Sequence, residues 1–94
     1  MEQFESLTQR QIHILKSIIE EYITTAEPVG SETIEKKYNV GVSPATIRNE
    51  MVELTNLGYL QKPHSSAGRS PTPKALKYYV ENLMKTRDMS VAEE

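Results

Sequence analysis

Residues 42–60 constrain the fold of this chain more than any other stretch. The stretch begins with Ser43-Pro44, a pair typical of a helix start, because the serine hydroxyl accepts an unpaired backbone N–H and proline is favoured at the first helical position. It ends near Gly58, since glycine commonly follows a last helical turn. Apolar side chains recur between these ends at helical spacing, namely Ile47, Met51 and Leu54, with Leu57 at the edge. The pattern predicts a short, well-capped amphipathic helix.

The other side of this predicted helix is small, polar and basic. Its residues are Ala45, Arg48, Asn49 and Val52, with Thr46 at the flank. A helix with such a side can lie in a DNA major groove, where short polar and basic side chains reach base edges. Many small domains also carry a polar outer helix face, so the neighbouring elements decide between these interpretations.

Composition limits the class of protein. A chain of 94 residues is one domain's worth, and its hydrophobic content of 37% and charged content of 26% are typical of a soluble globular domain. Without cysteine it has no disulfide framework and no cysteine-based zinc finger. No apolar run is long enough to span a membrane and no signal-peptide pattern opens the chain, so we expect a cytoplasmic location.

The charge is unevenly distributed along the chain. The net charge is −2 overall, but residues 1–35 carry −5 and residues 60–87 carry +5. Such asymmetry is an argument about partners and is compatible with nucleic-acid binding, although a solvated basic helix face would produce much of it too. The overall acidity neither supports nor excludes a DNA partner.

The first predicted helix begins with a capping box. Thr8 can cap it, Gln11 three residues later can return a hydrogen bond, and Leu7 can pack against the first turn. Helical spacing of apolar residues predicts that the helix runs to about Thr25, with its core side made by Ile12, Leu15, Ile18, Ile19, Tyr22 and Ile23.

A second helix and a tight turn complete a helix-turn-helix pattern. Pro28 breaks the first helix, and Ser31 is predicted to cap a short helix to about Tyr38. Asn39 and Gly41 both tolerate positive φ, which a tight turn into the next helix requires. Lys36 and Lys37 end the second helix, where they suit the helix dipole or lie near a DNA phosphate; both interpretations stay open.

A hairpin is predicted directly after the 42–60 stretch. Residues 59–62 and 69–71 read as short strands, separated by a loop rich in turn-forming residues. Such a hairpin after the second helix of a helix-turn-helix is a wing, and its tip offers small hydrogen-bonding groups and a guanidinium to phosphates or to a minor groove: His64, Ser65, Ser66 and Arg69. A hairpin in a generic domain would simply face solvent.

The last predicted helix begins at Thr72-Pro73, with the same start signal as the central helix. We expect Leu76, Tyr79, Val80 and Leu83 on its core side, and Lys74, Lys77 and Lys85 outside. Tyr78 and Tyr79 suggest a stacking hypothesis, because aromatic rings stack on unpaired bases. The spacing instead favours Tyr79 in the core and Tyr78 at its edge.

These patterns predict a mainly α fold with a small β-hairpin, a winged helix-turn-helix with a three-helix core, a wing and a C-terminal helix. Residues 1–6 are predicted to be a disordered N-terminus, residues 7–86 the winged helix-turn-helix domain, and residues 87–94 a polar tail or truncated linker. No enzyme, cofactor or metal site is expected, because His13 and His64 have no nucleophile–base or metal-ligand pattern around them.

The chain resembles the N-terminal DNA-binding domain of the HrcA family, heat-inducible repressors of bacterial chaperone operons. The matching blocks include residues 7–12, 27–31 and 42–51, the Leu57-Gly58-Tyr59-Leu60 stop, and the 63–69 loop Pro-His-Ser-Ser-Ala-Gly-Arg. The likeness covers about residues 7 to 84. The chain departs from the family pattern at Ala26, where the family usually has glycine, and at residues 75–77, where Ala-Leu-Lys replaces a typical Gly-Tyr-Arg.

This resemblance implies repression through an inverted-repeat operator upstream of chaperone genes, with the chaperonin as a possible partner of the full-length protein. It implies that residues 43–49 are the recognition helix and residues 64–69 the wing. Full-length members of the family are much longer and carry the dimerisation and sensing regions beyond this domain. The chain is therefore expected to be either an isolated domain or a stand-alone relative.

The leading hypothesis is sequence-specific binding of double-stranded DNA. We expect Arg48 and Asn49 to read guanine and adenine edges, and the remaining DNA-binding residues to be Ser43, Ala45, Thr46, Lys62, His64, Ser65, Ser66 and Arg69. The alternative is a winged-helix module that binds protein rather than DNA, which the net acidity permits. No strong dimer seam is evident, so we expect a monomer in solution that pairs only on DNA.

Overall fold

A computed structural model describes residues 6–64 and 67–83 of the chain. Its elements in order are α1 (Gln9–Thr25), α2 (Ser31–Lys37), α3 (Pro44–Asn56), β1 (Leu60–Gln61), β2 (Ser70–Pro71), α4 (Pro73–Tyr78) and a π-helical segment (Tyr79–Leu83). The predicted mainly α architecture with one hairpin is confirmed. Residues 1–5 of the predicted disordered N-terminus, residues 84–86 at the end of the predicted domain, and the whole predicted tail at residues 87–94 lie outside the described residues.

The starts of α1 and α4 follow the predicted caps. Thr8 accepts from the Gln11 backbone at 3.0 Å, and the Gln11 side chain accepts from the Thr8 backbone at 3.0 Å, which is the complete capping box. Thr72 caps α4 by accepting from the Ala75 backbone at 3.2 Å. These interactions span three residues each, so the local sequence is sufficient to specify them.

Ser31 is not the cap of α2, contrary to the sequence-based prediction. Gly30 occupies the N-cap position in an extended conformation and makes no side-chain hydrogen bond, and Ser31 is the first helical residue. The reason is tertiary. Val29, just before it, is paired with Arg69 in an antiparallel β-bridge, so the chain stays extended through Gly30 before it can turn into the helix.

The core lies where α1, α3, the hairpin and the C-terminal helical segment meet. Its buried apolar residues are Ile14, Leu15, Ile18, Ile19, Val29, Ile34, Ile47, Met51, Leu54, Tyr59, Leu60, Ala75, Tyr79 and Leu83. The predicted core side of α3 is confirmed. On α1, however, Ile14 is buried and Ile23 is 61% exposed, because the helix turns its 14-15-18-19 face inward and Ile23 lies past the edge of that face.

The inner face of the C-terminal helical segment also differs from the prediction. Ala75, Tyr79 and Leu83 are buried, whereas Leu76 is 37% exposed and Val80 is 57% exposed. Ala75, Tyr79 and Leu83 are spaced four residues apart and share one helix side, and this side is the one that packs against α1. Tyr78 packs at the edge of the core, as predicted.

A buried carboxylate joins the first two helices. Glu21, only 6% exposed, accepts hydrogen bonds from Lys37 Nζ at 3.0 Å and from the Tyr38 hydroxyl at 3.1 Å. Burial, and then the bond to Glu21, raise the pKa of Tyr38 above its ordinary value of 10.0. Neither interpretation left open for Lys37, the helix dipole or a DNA phosphate, included this pairing with Glu21, which gives Lys37 a role inside the domain.

Candidate nucleic-acid interface

The outer face of α3 is open to solvent. Ala45, Arg48 and Asn49 are exposed, and Val52 is 44% exposed, while Ile47 beneath them is fully buried. The small and polar side chains predicted for this face therefore stand together on one side of a helix anchored through its apolar side. This arrangement lets α3 enter a groove without disturbing the core.

The start of α3 is built by two hydroxyl groups. The Ser43 hydroxyl oxygen accepts from the Thr46 backbone N–H at 3.3 Å and lies 3.3 Å from the Thr46 hydroxyl. Gly41, in the turn before α3, has a positive φ of 82°, as predicted for a tight turn. Asn39, the other predicted turn residue, is described and does not have a positive φ. The result is an exposed helix start with oriented N–H groups and two hydroxyls, chemistry that suits a phosphate.

The wing is fastened to the loop after α1. β1 and β2 pair antiparallel, with Leu60 opposite Pro71. Beyond the hairpin, the Val29 N–H donates to the Arg69 carbonyl at 2.8 Å and the Arg69 N–H donates to the Val29 carbonyl at 2.9 Å. Gly68 allows this approach, because a Cβ there would stand 3.0 Å from backbone atoms of Pro28 and Val29.

The Arg69 side chain connects the wing to α3. Its Nε donates to Thr55 Oγ1 at 3.2 Å, and its Nη1 donates to the carbonyls of Ala67 at 3.0 Å and Gly68 at 3.4 Å. Arg69 therefore has a clear structural task in orienting the wing against α3. A contact between Arg69 and DNA stays a prediction.

The far end of α3 is held by a lysine predicted to lie outside. Lys74 is half-buried, its Nζ donates to the Leu57 carbonyl at 3.0 Å, and it stands 4.6 Å from the centre of the Tyr59 ring. The Thr72 hydroxyl also donates to the Gly58 carbonyl at 2.6 Å. These contacts fix where α3 ends and the wing begins.

A groove of about 620 Å³ runs between the start of α2, the side of α3 and the wing. It is lined by Pro28, Gly30, Ser31, Glu32, Thr33, Arg48, Met51, Lys62, Ala67, Gly68 and Arg69. Three of the predicted DNA-binding residues, Arg48, Lys62 and Arg69, thus meet along one groove. Ser43, Ala45, Thr46, Asn49 and His64 are described but do not line it, whereas Ser65 and Ser66 lie outside the described residues.

The α2 wall of this groove is missing from the sequence-based prediction. Ser31, Glu32 and Thr33 line it from the first turn of α2. The sequence indicated only that these three residues begin a helix. A position at a helix start does not indicate which side chains of other elements will lie opposite. Their proximity to Arg48 results from the packing of α2 on α3.

Two cations elsewhere on the domain are already paired. Arg10 Nη1 stands 3.5 Å from Glu50 Oε2, and Lys37 is paired with Glu21. Among the described residues, neither Arg48 nor Lys62 forms an ion pair. These two cations therefore bring positive charge to the groove without an ion-pair partner among the described residues, and such charge attracts phosphate.

Within residues 6–64 and 67–83, no cluster of three or more His, Asp or Glu side chains is placed to hold a metal ion. No helix in the same part of the chain is both long and apolar enough to cross a membrane. His13 is exposed on α1, as expected of a surface residue.

An amphipathic helix behind a tight turn, with a hairpin fastened along its side, defines a winged helix-turn-helix domain. The family model described as the winged helix-turn-helix transcription repressor, HrcA DNA-binding, matches residues 6–85. The chain belongs to this family.

Curated relatives and a solved structure agree with this assignment. The chain is 54% identical over 88 residues to the heat-inducible transcription repressor HrcA of Pelotomaculum thermopropionicum, covering 94% of this chain and 25% of the relative. It is 56% identical over 88 residues to the HrcA of Symbiobacterium thermophilum, covering 94% of this chain and 26% of the relative. The chain thus spans about a quarter of the length of these relatives.

A crystal structure of a hypothetical protein at 2.2 Å resolution shares the fold, with a TM-score of 0.81 and 45% sequence identity. The match covers 85% of this chain and 26% of that one.

Proposed function

We propose that this domain binds double-stranded DNA sequence-specifically, as the DNA-binding part of a transcriptional repressor that acts at an inverted-repeat operator of heat-shock or chaperone operons. The observation that supports this most is Arg48, which is exposed on α3, lines a groove whose other wall is the wing, and has no ion-pair partner among the residues that the structure describes. The names of the family and of its relatives, heat-inducible transcription repressors, point in the same direction.

In this proposal α3 enters the major groove. Arg48 pairs with a guanine and Asn49 with an adenine, because these side chains match the donor and acceptor patterns of those base edges. Ala45 is small enough to contact a thymine methyl group. Ser43 and Thr46 hydrogen-bond phosphates at the helix start, where backbone N–H groups also point.

In this proposal the wing contacts the DNA backbone or the minor groove next to the major groove that α3 occupies. Lys62 contributes charge to phosphates from the groove wall, and His64 lies in the loop beyond it. We extend the proposal to Ser65, Ser66 and Arg69. For Arg69 the role is shared with its bond to Thr55, so the same side chain would orient the wing and approach the backbone.

In the full-length protein, we further propose that two copies meet on the operator's two half-sites and that a chaperonin is a partner. The domain would work in the cytoplasm, where the DNA is. An inverted repeat has two half-sites one or more helical turns apart, related by two-fold symmetry. Occupying both half-sites requires two copies of the domain.

Selection of bound sequences from random duplexes tests the ligand class and the half-site together. We expect an enriched half-site containing a guanine and an adenine. No retention of any duplex even at low salt would instead favour the protein-binding alternative, a winged-helix module without a DNA ligand.

Two substitutions separate base reading from backbone binding. Arg48→Ala should cost about 1–3 kcal/mol of binding free energy and relax the preference at one base position. Lys62→Ala should weaken all duplexes alike and reduce the salt dependence of binding by about one counterion. An unchanged sequence preference in the Arg48→Ala variant would remove Arg48 from the base-reading residues.

A further inference from the structure

The groove that carries Arg48 and Lys62 also carries a carboxylate. Glu32 is exposed in the first turn of α2 and lines the same 620 Å³ space. Glu32 forms no ion pair with the described residues, whereas Glu21 and Glu50 do. Its charge is thus left facing whatever enters the groove.

The position of α2 indicates what that charge meets. In a helix-turn-helix the first helix of the pair crosses the DNA backbone while the second enters the major groove. The first turn of α2 would then stand beside phosphates, with Arg48 on the neighbouring wall. Arg48 and Lys62 attract those phosphates, and Glu32 repels them.

We propose that Glu32 is an electrostatic restraint that lowers the affinity of this domain for the DNA backbone of every sequence. The inference rests on the proposed function, since it assumes that DNA occupies the groove. Its consequence is that tight binding depends more on base contacts from α3, because the attraction between Lys62 and the phosphates is partly cancelled.

Two alternative roles for Glu32 predict different results. An acidic residue in the first turn stabilises a helix through its dipole, and substitution would then change thermal stability alone. A carboxylate can also accept a hydrogen bond from cytosine, and substitution would then change the preference at one base position.

The test measures the dissociation constants of Glu32→Gln and Glu32→Lys for a scrambled duplex and for the selected half-site, at about 50 and 200 mM salt. We expect Glu32→Gln to bind both duplexes about 3- to 10-fold more tightly at low salt, as removal of one nearby like charge predicts. The slope of log affinity against log salt should steepen by up to about 0.9, and Glu32→Lys should extend both changes.

Glu81→Gln is the matched control. It makes the same charge change at an exposed residue of the π-helical segment, away from the groove, and should leave both dissociation constants unchanged. Thermal melting of each variant, recorded in parallel, reports any loss of stability.

Each result decides the matter. If the parent chain binds duplexes but Glu32→Gln binds within twofold of it with the same salt slope, the inference is wrong while the proposed function stands. A lower melting temperature with unchanged affinity, or a change at one base position with an unchanged slope, also overturns it. If the parent chain binds no duplex at low salt, the proposed function fails and the inference fails with it.

Discussion

Ala26 ends α1 in the left-handed region, with φ 60° and ψ 26°, and its N–H donates to the Tyr22 carbonyl at 2.7 Å. It is the one non-glycine residue with positive φ in the described part of the chain. Any side chain with a Cβ is strained there, at a cost of about 1–2 kcal/mol. A glycine at this position would avoid that strain.

Ala26→Gly should therefore stabilise the domain. The relief of strain exceeds the extra flexibility that glycine gives the unfolded chain, so we expect the free energy of unfolding to rise by about 0.5–1 kcal/mol. Urea denaturation measures the change. Ala45→Gly is the control, because glycine inside the first turn of α3 should lower stability by up to about 1 kcal/mol. Equal effects of both substitutions would refute the assignment of strain to Ala26.

At the scale of elements, the wing depends on a close backbone approach. Gly68 is buried against Pro28 and Val29, and the bridge between Val29 and Arg69 lies next to it. Because backbone atoms cannot move aside as a flexible side chain can, a methyl group here must push the wing away from the α1–α2 loop.

Gly68→Ala should lower the free energy of unfolding by about 1–3 kcal/mol, a typical cost of overpacking. Chemical denaturation gives the value, and amide exchange at Val29 and Arg69 should quicken. Gly30→Ala serves as the comparison, since a Cβ at Gly30 meets nothing within 4 Å and φ is negative. We expect it to change stability by less than about 1 kcal/mol. Similar losses in both variants would contradict a wing held by close backbone approach.

α1 and α2 are held together by the buried Glu21. Removing its carboxylate leaves Lys37 and the Tyr38 hydroxyl without their acceptor. Glu21→Ala should destabilise the domain by about 1–3 kcal/mol, the range for hydrogen bonds to a charged group. Thermal and urea unfolding report the loss. The exposed Glu27 is a suitable control, and Glu27→Ala should stay within about 0.5 kcal/mol of the parent chain. An equally small effect at Glu21 would show that water replaces the carboxylate.

At the scale of the whole molecule, the described surface offers little for self-association. The large hydrophobic residues exposed on it are Ile23, Val52, Leu76 and Val80, which come from three separate parts of the chain. Leu76 and Val80 are neighbours on one helical segment, whereas Ile23 and Val52 belong to other helices, and small groups of exposed apolar residues are ordinary on a monomer surface. We expect a species of about 10.7 kDa by sedimentation velocity across protein concentrations. An inverted-repeat duplex should bring two copies together, whereas a tight dimer without DNA would contradict the prediction.

The start of α1 and both ends of α3 were predictable, because caps act over three or four residues. The predicted N-caps are present between Thr8 and Gln11 and between Ser43 and Thr46. The predicted glycine after the last turn of α3, Gly58, has a positive φ of 90°. The wing's strands were predicted too, although the predicted ranges 59–62 and 69–71 are slightly longer than the observed strands. Failures occurred where the neighbours of an element mattered. Burial of Ala75 in place of Leu76 depends on which side of the C-terminal helical segment packs against α1, and apolar spacing did not indicate that side.

The sequence by itself determined the order of the elements, the buried and outer sides of α3, and the family to which the chain belongs. These depend on short-range periodicity, caps and motif spacing, all of which are written along the chain. The tertiary structure alone decided that Arg69 is bonded to Thr55, that Glu21 is buried with Lys37, and that Glu32 shares a groove with Arg48. Those pairings join residues from different elements, and only the packing of the helices and the wing sets which side chains meet.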